Sequence, residues 1–118
     1  MAMDLAVKTY STKPDYLIAG TDIRVTTAVK EAKSAVARGM VVALKDGKLE
    51  QPTVTGSGEP YTVATDNMYG IVADDAEAGK DAVVYLTGEF FADALVLPEH
   101  AKAADVEIAL RNIGIFLK

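Results

Sequence analysis

The sequence predicts a mainly β fold with one short helix, a compact small β-barrel or sandwich with an extended N-terminal arm. Three observations predict this class. Residues 21–30 alternate in polarity as a half-buried strand does, Asp46-Gly47 marks a tight hairpin, and residues 105–113 carry an apolar helical face. A chain of 118 residues favours a single domain. We place that domain at residues 21–118, after an arm formed by residues 1–20.

The arm differs from the rest of the chain because it holds few residues of the kind that fill a core. Pro14 cannot continue a helix and favours an extended conformation at the residue before it. We therefore expect an extended segment that is mobile in the free protein. A poorly ordered terminus without a function is the simpler interpretation of the composition alone. Against it stand Tyr10 and Tyr16, because aromatic residues are favoured anchors at protein interfaces.

The first strand of the body is predicted at residues 21–30. Polar and apolar positions alternate there with a period of two, and β-branched residues suit a pleated surface. One face of this strand carries Ile23, Val25, Thr27 and Val29. Residues 31–38 are ambiguous, because Ala32, Ala35 and Val36 stand at helical spacing but the stretch is short and ends at Gly39.

The centre of the chain predicts a hairpin followed by a loop. Residues 39–44 are apolar enough for a buried strand, and residues 48–51 form its return strand. Between them lies Asp46-Gly47, which suits a type I′ turn because that turn needs positive φ at both central positions. Residues 52–60 are rich in Gly, Ser and Pro and predict a flexible surface loop. Their Gly56-Ser57-Gly58 run lacks the spacing and the Lys of a phosphate-binding loop.

The second half predicts a short strand at residues 61–64 and another at residues 69–73. A polar turn region follows at residues 74–81. The longest strand is expected at residues 82–91, and because both of its faces are largely apolar it should be central.

One helix and one final strand end the predicted fold, which totals six to eight strands. Asp105 is a suitable N-cap residue, and Gly114 suits the position just after the helix, where a left-handed residue closes it. The apolar face consists of Val106, Ala109, Leu110 and Ile113. Residues 115–117 are the last strand.

Composition excludes several classes of function. The 12 basic and 17 acidic residues give a net charge of −5, which disfavours nucleic-acid binding. There is no Cys, so a thiolate nucleophile and a zinc-thiolate site are impossible. No apolar run approaches the roughly 20 residues that span a bilayer, and the first residues resemble no signal peptide. We expect a soluble protein that is made in the cytoplasm and contacts neither nucleic acid nor membrane.

Candidate catalytic and metal-binding residues are few. His100 is the single His, and with Glu99 alone it cannot complete a zinc site, so we interpret it as a solvated loop residue. The acidic run beginning at Asp74-Asp75 fails the EF-hand spacing because its twelfth position is Tyr85. Glu89 is a lone carboxylate, best explained as an exposed charge at a strand end or an ion pair between subunits. The sequence therefore predicts no catalytic residue, metal or cofactor.

Several runs of residues occur in an order that is fairly specific when taken together. In the middle of the chain stands Ala37-Arg38-Gly39-Met40-Val41-Val42, and residues 69–76 follow it. The later runs are Tyr85-Leu86-Thr87-Gly88-Glu89-Phe90 and residues 109–116. Residues 10–20 precede all of these runs as an entry segment. Over nearly its whole length the chain resembles the head decoration proteins of lambda-type bacteriophages. The arm and residues 52–60 depart from the lambda member itself.

The resemblance implies a compact β-rich homotrimer that binds the major capsid protein at three-fold or quasi-three-fold positions on the outside of an expanded capsid. It implies a structural protein of the virion, without enzymatic activity. In that family the N-terminal arm becomes ordered when it binds the capsid. Here that role falls on Tyr10, Ser11, Thr12, Lys13, Pro14, Asp15, Tyr16, Leu17 and Ile18.

Two other classes of function are open. A small-molecule or carbohydrate-binding β domain of a larger assembly would need an apolar pocket with a few converging polar groups. The absence of Trp and an aromatic content of 7% count against a sugar platform. An enzyme with an unrecognised site is the third class, and the missing Cys and single His count against it.

Overall fold

One long strand organises the structure, a computed structural model that describes residues 17–58 and 61–118. These residues contain nine strands, one α-helix and a short 3-10 turn at Ala92–Ala94. The elements are β1 Ile18–Gly20, β2 Thr26–Ala32, β3 Val41–Lys45, β4 Lys48–Glu50, β5 Val54–Thr55, β6 Thr62–Val63, β7 Met68–Val72, β8 Asp81–Phe90, α1 Ala103–Asn112 and β9 Ile115–Leu117.

Five of these strands close into a barrel, which confirms the predicted fold class. The first half of β8 pairs antiparallel with β2 on one side and with β7 on the other. From β2 the barrel continues through a parallel pairing with β4, the β4–β3 hairpin and the β3–β7 pair, which returns to β8. The second half of β8 extends past the barrel. There it pairs antiparallel with β1 and parallel with β9.

The hairpin between β3 and β4 follows from local turn chemistry. Asp46 has φ 52° and Gly47 has φ 78°, so both central residues are left-handed, as a type I′ turn requires. Val41, Val42 and Ala43 are buried before it. The predicted buried strand and its hairpin are confirmed.

The core has two parts. One cluster joins side chains from all five barrel strands and therefore fills the barrel: Ala32, Val42, Leu49, Val72, Ala82 and Val84 belong to it, with Val36 beside them. The other cluster joins the helix to the strands beneath it: Leu17, Val41, Met68, Ile71, Phe90, Val106, Leu110 and Ile115. The long strand contributes to both clusters, which confirms its predicted central place.

The face predicted for the first strand is wrong. Val29 is 57% exposed, whereas Ala32 is fully buried, so β2 turns its alternate positions into the barrel. Small side chains suffice there because Leu49 and the valines of neighbouring strands occupy the space. The strand also begins later than predicted, at Thr26.

The helix is confirmed, but its start needs a correction. The helix begins at Ala103, and Asp105 is its third residue rather than its N-cap. The Asp105 carboxylate accepts a hydrogen bond from the backbone N–H of Lys102 at 2.8 Å, which is the reciprocal half of a capping box. Gly114 has φ 95° and closes the helix, as predicted.

Two predicted boundaries also change. Residues predicted as loop contain β5, which pairs with β6, so the strand count exceeds the predicted six to eight. At the other boundary, Leu17 is buried in the core under the helix and β1 pairs with β8. Residues 17–20 therefore belong to the folded body, and the arm defined from the sequence is too long by that segment.

Candidate functional site

The site predicted from the sequence is the arm, and the structure describes only its last residues. The backbone carbonyl of Leu17 accepts a hydrogen bond from the N–H of Phe91 at 2.9 Å. The Leu17 side chain is buried, while Ile18 is partly exposed at 37%. The other predicted contact residues lie outside the described residues: Tyr10, Ser11, Thr12, Lys13, Pro14, Asp15 and Tyr16.

The chain that follows Tyr16 is attached to the body at the second half of β8. Ile18 lies opposite Phe90 and Gly20 lies opposite Glu89, with a register shift between the two pairs. The strand is only three residues long. A strand this short forms few backbone hydrogen bonds, so side chains must supply much of the attachment.

Glu89 supplies part of it, contrary to prediction. Its exposure is 6%, so it is not an exposed charge at a strand end. It also has partners within this chain. Carboxylate Oε2 accepts a hydrogen bond from the backbone N–H of Ile23 at 3.1 Å. Oxygen Oε1 lies 3.4 Å from Nζ of Lys118. The ion pair is formed within the chain.

Gly20 makes room for this carboxylate. A Cβ at Gly20 would lie 2.7 Å from Oε1 of Glu89, closer than two such atoms can approach. Lys118 reaches the carboxylate from the surface, with 53% of its side chain exposed. Its backbone N–H donates to the carbonyl of Phe90 at 2.8 Å, so the end of β9 is held beside the carboxylate.

Arg38 and Asp75 join two loops and do not form a cation site. Asp75 Oδ1 accepts a hydrogen bond from the backbone N–H of Arg38 at 2.8 Å. The Arg38 guanidinium donates to the carbonyl of Ala73 at 2.6 Å and to the Tyr85 hydroxyl at 3.1 Å. Within residues 17–58 and 61–118, no group of three or more His, Asp or Glu side chains is placed to hold a metal. The sequence did not indicate this loop contact, because the residues are 37 positions apart.

His100 is less solvated than predicted. Its ring stacks on Tyr61 with centroids 4.0 Å apart and planes 8° from parallel. Its Nε2 lies 3.6 Å from a carboxylate oxygen of Glu99. The side chain is about half exposed and its backbone is left-handed, with φ 72°. The stack joins the loop before α1 to the start of β6 and involves no nucleophile.

The barrel presents a small apolar patch to solvent. Val29 and Val83 are direct cross-strand neighbours on β2 and β8, and they are 57% and 37% exposed. Side chains opposite each other in antiparallel strands are in contact range. On the helix, Ile108 is exposed as well.

The described part of the chain contains no helix that is long and apolar enough to cross a membrane. Compared with known proteins, the sequence matches no protein-family model and no curated protein.

Proposed function

We propose that this chain is a structural virion protein that binds the outer surface of an expanded phage capsid as a trimer. The observation that carries the proposal is the attachment of the arm. A segment with Tyr10 and Tyr16, rich in polar residues, joins a barrel through a strand that is fastened to β8 by backbone pairing and by buried Leu17. The sequence resemblance to lambda-type head decoration proteins supports the same function.

The mechanism is thermodynamic. A protein that binds the expanded shell and not its precursor stabilises the expanded shell by mass action, as any ligand stabilises the state that it binds. In this way it opposes the outward pressure of the packaged DNA. No bond is made or broken, so no catalytic group is needed.

Three arms on one trimer bind together more tightly than one arm. Once the first arm is bound, the others bind from a high effective concentration, which can raise the overall affinity about 10²–10⁴-fold over a single contact. Individual arm contacts can then be weak while the whole trimer dissociates slowly.

The exposed valine pair on the barrel offers a contact surface for the proposed trimer. Val29 and Val83 form an apolar surface that a neighbouring chain would cover. The net charge of −5 also suits a protein on the outside of the shell, away from the DNA.

Capsid binding tests the function directly. Purified protein is mixed with expanded, undecorated capsids of the phage that encodes the chain, and with unexpanded precursor capsids, and bound protein is measured after sedimentation. We expect saturable binding to the expanded capsids only, and a rise in the temperature at which those capsids disrupt. Equal binding to both shells, or none to the expanded shell, would contradict the proposal.

A pair of variants tests the contribution of the arm. Tyr10→Ala with Tyr16→Ala should weaken binding strongly, because buried aromatic anchors contribute much of the affinity at interfaces. Tyr61→Ala, which removes a tyrosine from the body, is the matched control and should bind as the wild type does.

A further inference from the structure

We infer that Glu89 is the positioning residue of the arm. Its buried carboxylate clamps residues 20–23 against β8 and so supports β1, the strand from which the arm leaves the body. The role in binding rests on the proposed function, whereas the clamp itself is a property of the free protein.

Burying the Glu89 carboxylate costs free energy of folding, and its contacts indicate what the burial achieves. Among the described residues Glu89 is the single buried charged side chain. A buried carboxylate destabilises a fold unless a counter-charge and hydrogen bonds compensate it. Here each oxygen has one partner, the Ile23 N–H for Oε2 and the Lys118 ammonium for Oε1. A leucine of similar size would fill the space without needing either partner.

The partners show what the carboxylate holds. Ile23 is 66 positions away in sequence and lies in the segment between β1 and β2, outside any strand. Gly20 packs directly against the carboxylate because it has no side chain. Lys118 directly follows β9. One side chain therefore joins the segment after the arm, the longest strand and the residue after β9.

Backbone pairing alone is a weak attachment at this place. β1 has three residues, and its register with β8 shifts between Ile18 and Gly20. Without the Glu89 contacts, residues 20–23 would keep few bonds to the body. The arm would then be held only by the short pairing of β1 with β8 and by the buried side chain of Leu17.

A looser start lowers the affinity of the arm. The effective concentration of a tethered segment falls as its tether lengthens, and a pre-positioned segment loses less entropy on binding. A loss of about twofold for each arm multiplies over three arms to about eightfold for the trimer.

Hydrogen exchange in the free protein tests the clamp. Glu89→Gln keeps the shape of the side chain but replaces one acceptor oxygen with a donor. We expect at least tenfold faster exchange in the peptide that contains Ile23, and unchanged exchange in barrel peptides from β3 and β7. Glu31→Gln is the matched control, because Glu31 pairs with Lys48 at the surface, 3.6 Å away. The clamp would be overturned if Glu89→Gln exchanged at Ile23 at the wild-type rate, or if its exchange rate rose equally throughout the barrel.

Gly20→Ala is a second variant, which carries the test if Glu89→Gln does not fold. The added Cβ displaces the carboxylate without changing any charge. Gly20→Ala should accelerate hydrogen exchange in the peptide that contains Ile23 and leave exchange in the barrel peptides unchanged. Unaltered exchange at Ile23 would again overturn the clamp.

Binding to the expanded, undecorated capsids tests the positioning role. With the arm sequence intact, Glu89→Gln should dissociate about eightfold faster than Glu31→Gln. The positioning role would be overturned if Glu89→Gln showed faster exchange at Ile23 but bound the capsids as tightly as Glu31→Gln. If the wild-type protein itself fails to bind expanded capsids, the proposed function and with it the positioning role are wrong, while the exchange experiment still decides the clamp.

Discussion

Gly70 occupies a place in β7 where no side chain fits. A Cβ there would overlap the backbone carbonyl of Tyr85 and lie 2.7 Å from a methyl group of Val84 on the neighbouring strand. Backbone atoms inside a closed barrel cannot move aside easily, because every strand is paired on both sides. The glycine thus sets the distance between β7 and β8.

We predict that Gly70→Ala lowers the free energy of unfolding by about 3 kcal/mol, the upper part of the range for overpacked cores. Gly58→Ala is the control, because nothing lies within 4 Å of a Cβ at Gly58. It should change the free energy by less than about 1 kcal/mol. Denaturant unfolding of both variants gives the comparison, and equal midpoints would show that the strands can separate to admit a methyl group.

At the scale of the element, the helix covers one end of the core with two fully buried side chains, Val106 and Leu110. Ile113, predicted to share this face, is 36% exposed because the helix ends at Asn112 and the chain turns at Gly114. The buried face is therefore narrower than the sequence pattern indicates.

Leu110→Ala should destabilise the fold by about 2–5 kcal/mol, because it leaves a cavity in the core cluster where the helix packs on β9 and β7. Ile108→Ala is a control on the same helix, since Ile108 is 64% exposed. It should alter stability by less than about 0.5 kcal/mol. Thermal unfolding distinguishes the two, and a loss at Ile108 as large as that at Leu110 would mean that the exposed face is covered.

Structural features that depend on the conformational preference of one or two residues were predictable from the sequence. The Asp46-Gly47 turn and the Gly114 helix end depend on backbone conformations that those residues adopt more readily than others. The inward face of β2 was not predictable, because it depends on which strands close the barrel around it. Asp105 satisfies the chemistry of an N-cap and of a third helical residue alike, so its sequence position leaves both choices open.

At the scale of the whole molecule, only part of the candidate site was predictable. The sequence predicts an exposed charge or an ion pair between subunits for Glu89, because its neighbours in sequence provide no partner, whereas its partners in the structure are Ile23 and Lys118 of the same chain. Leu17 was assigned to the arm for the same reason, since the residues that bury it come from distant segments. Contacts across such separations depend on the fold as a whole.

We predict a trimer in solution. A small chain without Cys gains stability from assembly, and the exposed pair of Val29 and Val83 offers an apolar surface to a neighbouring chain. Sedimentation equilibrium at micromolar concentration should give the mass of three chains. A stable monomer would contradict trimer formation in solution and would place assembly on the capsid.

Two truncations separate the binding role of the arm from the structural role of its last residues. Removing residues 1–16 should strongly weaken binding to expanded capsids, because it removes Tyr10 and Tyr16. Removing residues 1–20 should in addition lower the thermal midpoint, because it removes the buried side chain of Leu17 and the β1–β8 pairing. Loss of a buried leucine side chain costs about 2–5 kcal/mol, and midpoints are measured by calorimetry beside the capsid assay.

The two truncations together distinguish an anchored arm from attachment through the folded body. If their midpoints coincide, residues 17–20 contribute nothing to the body and the arm does extend to Gly20. If the shorter truncation binds expanded capsids as tightly as the full chain, attachment lies on the folded body, where the valine pair on β2 and β8 offers the exposed apolar surface. An anchored arm requires that only the longer truncation lowers the thermal midpoint and that both truncations lose binding. The anchor, residues 17–20, then belongs to the fold, and the binding residues precede it.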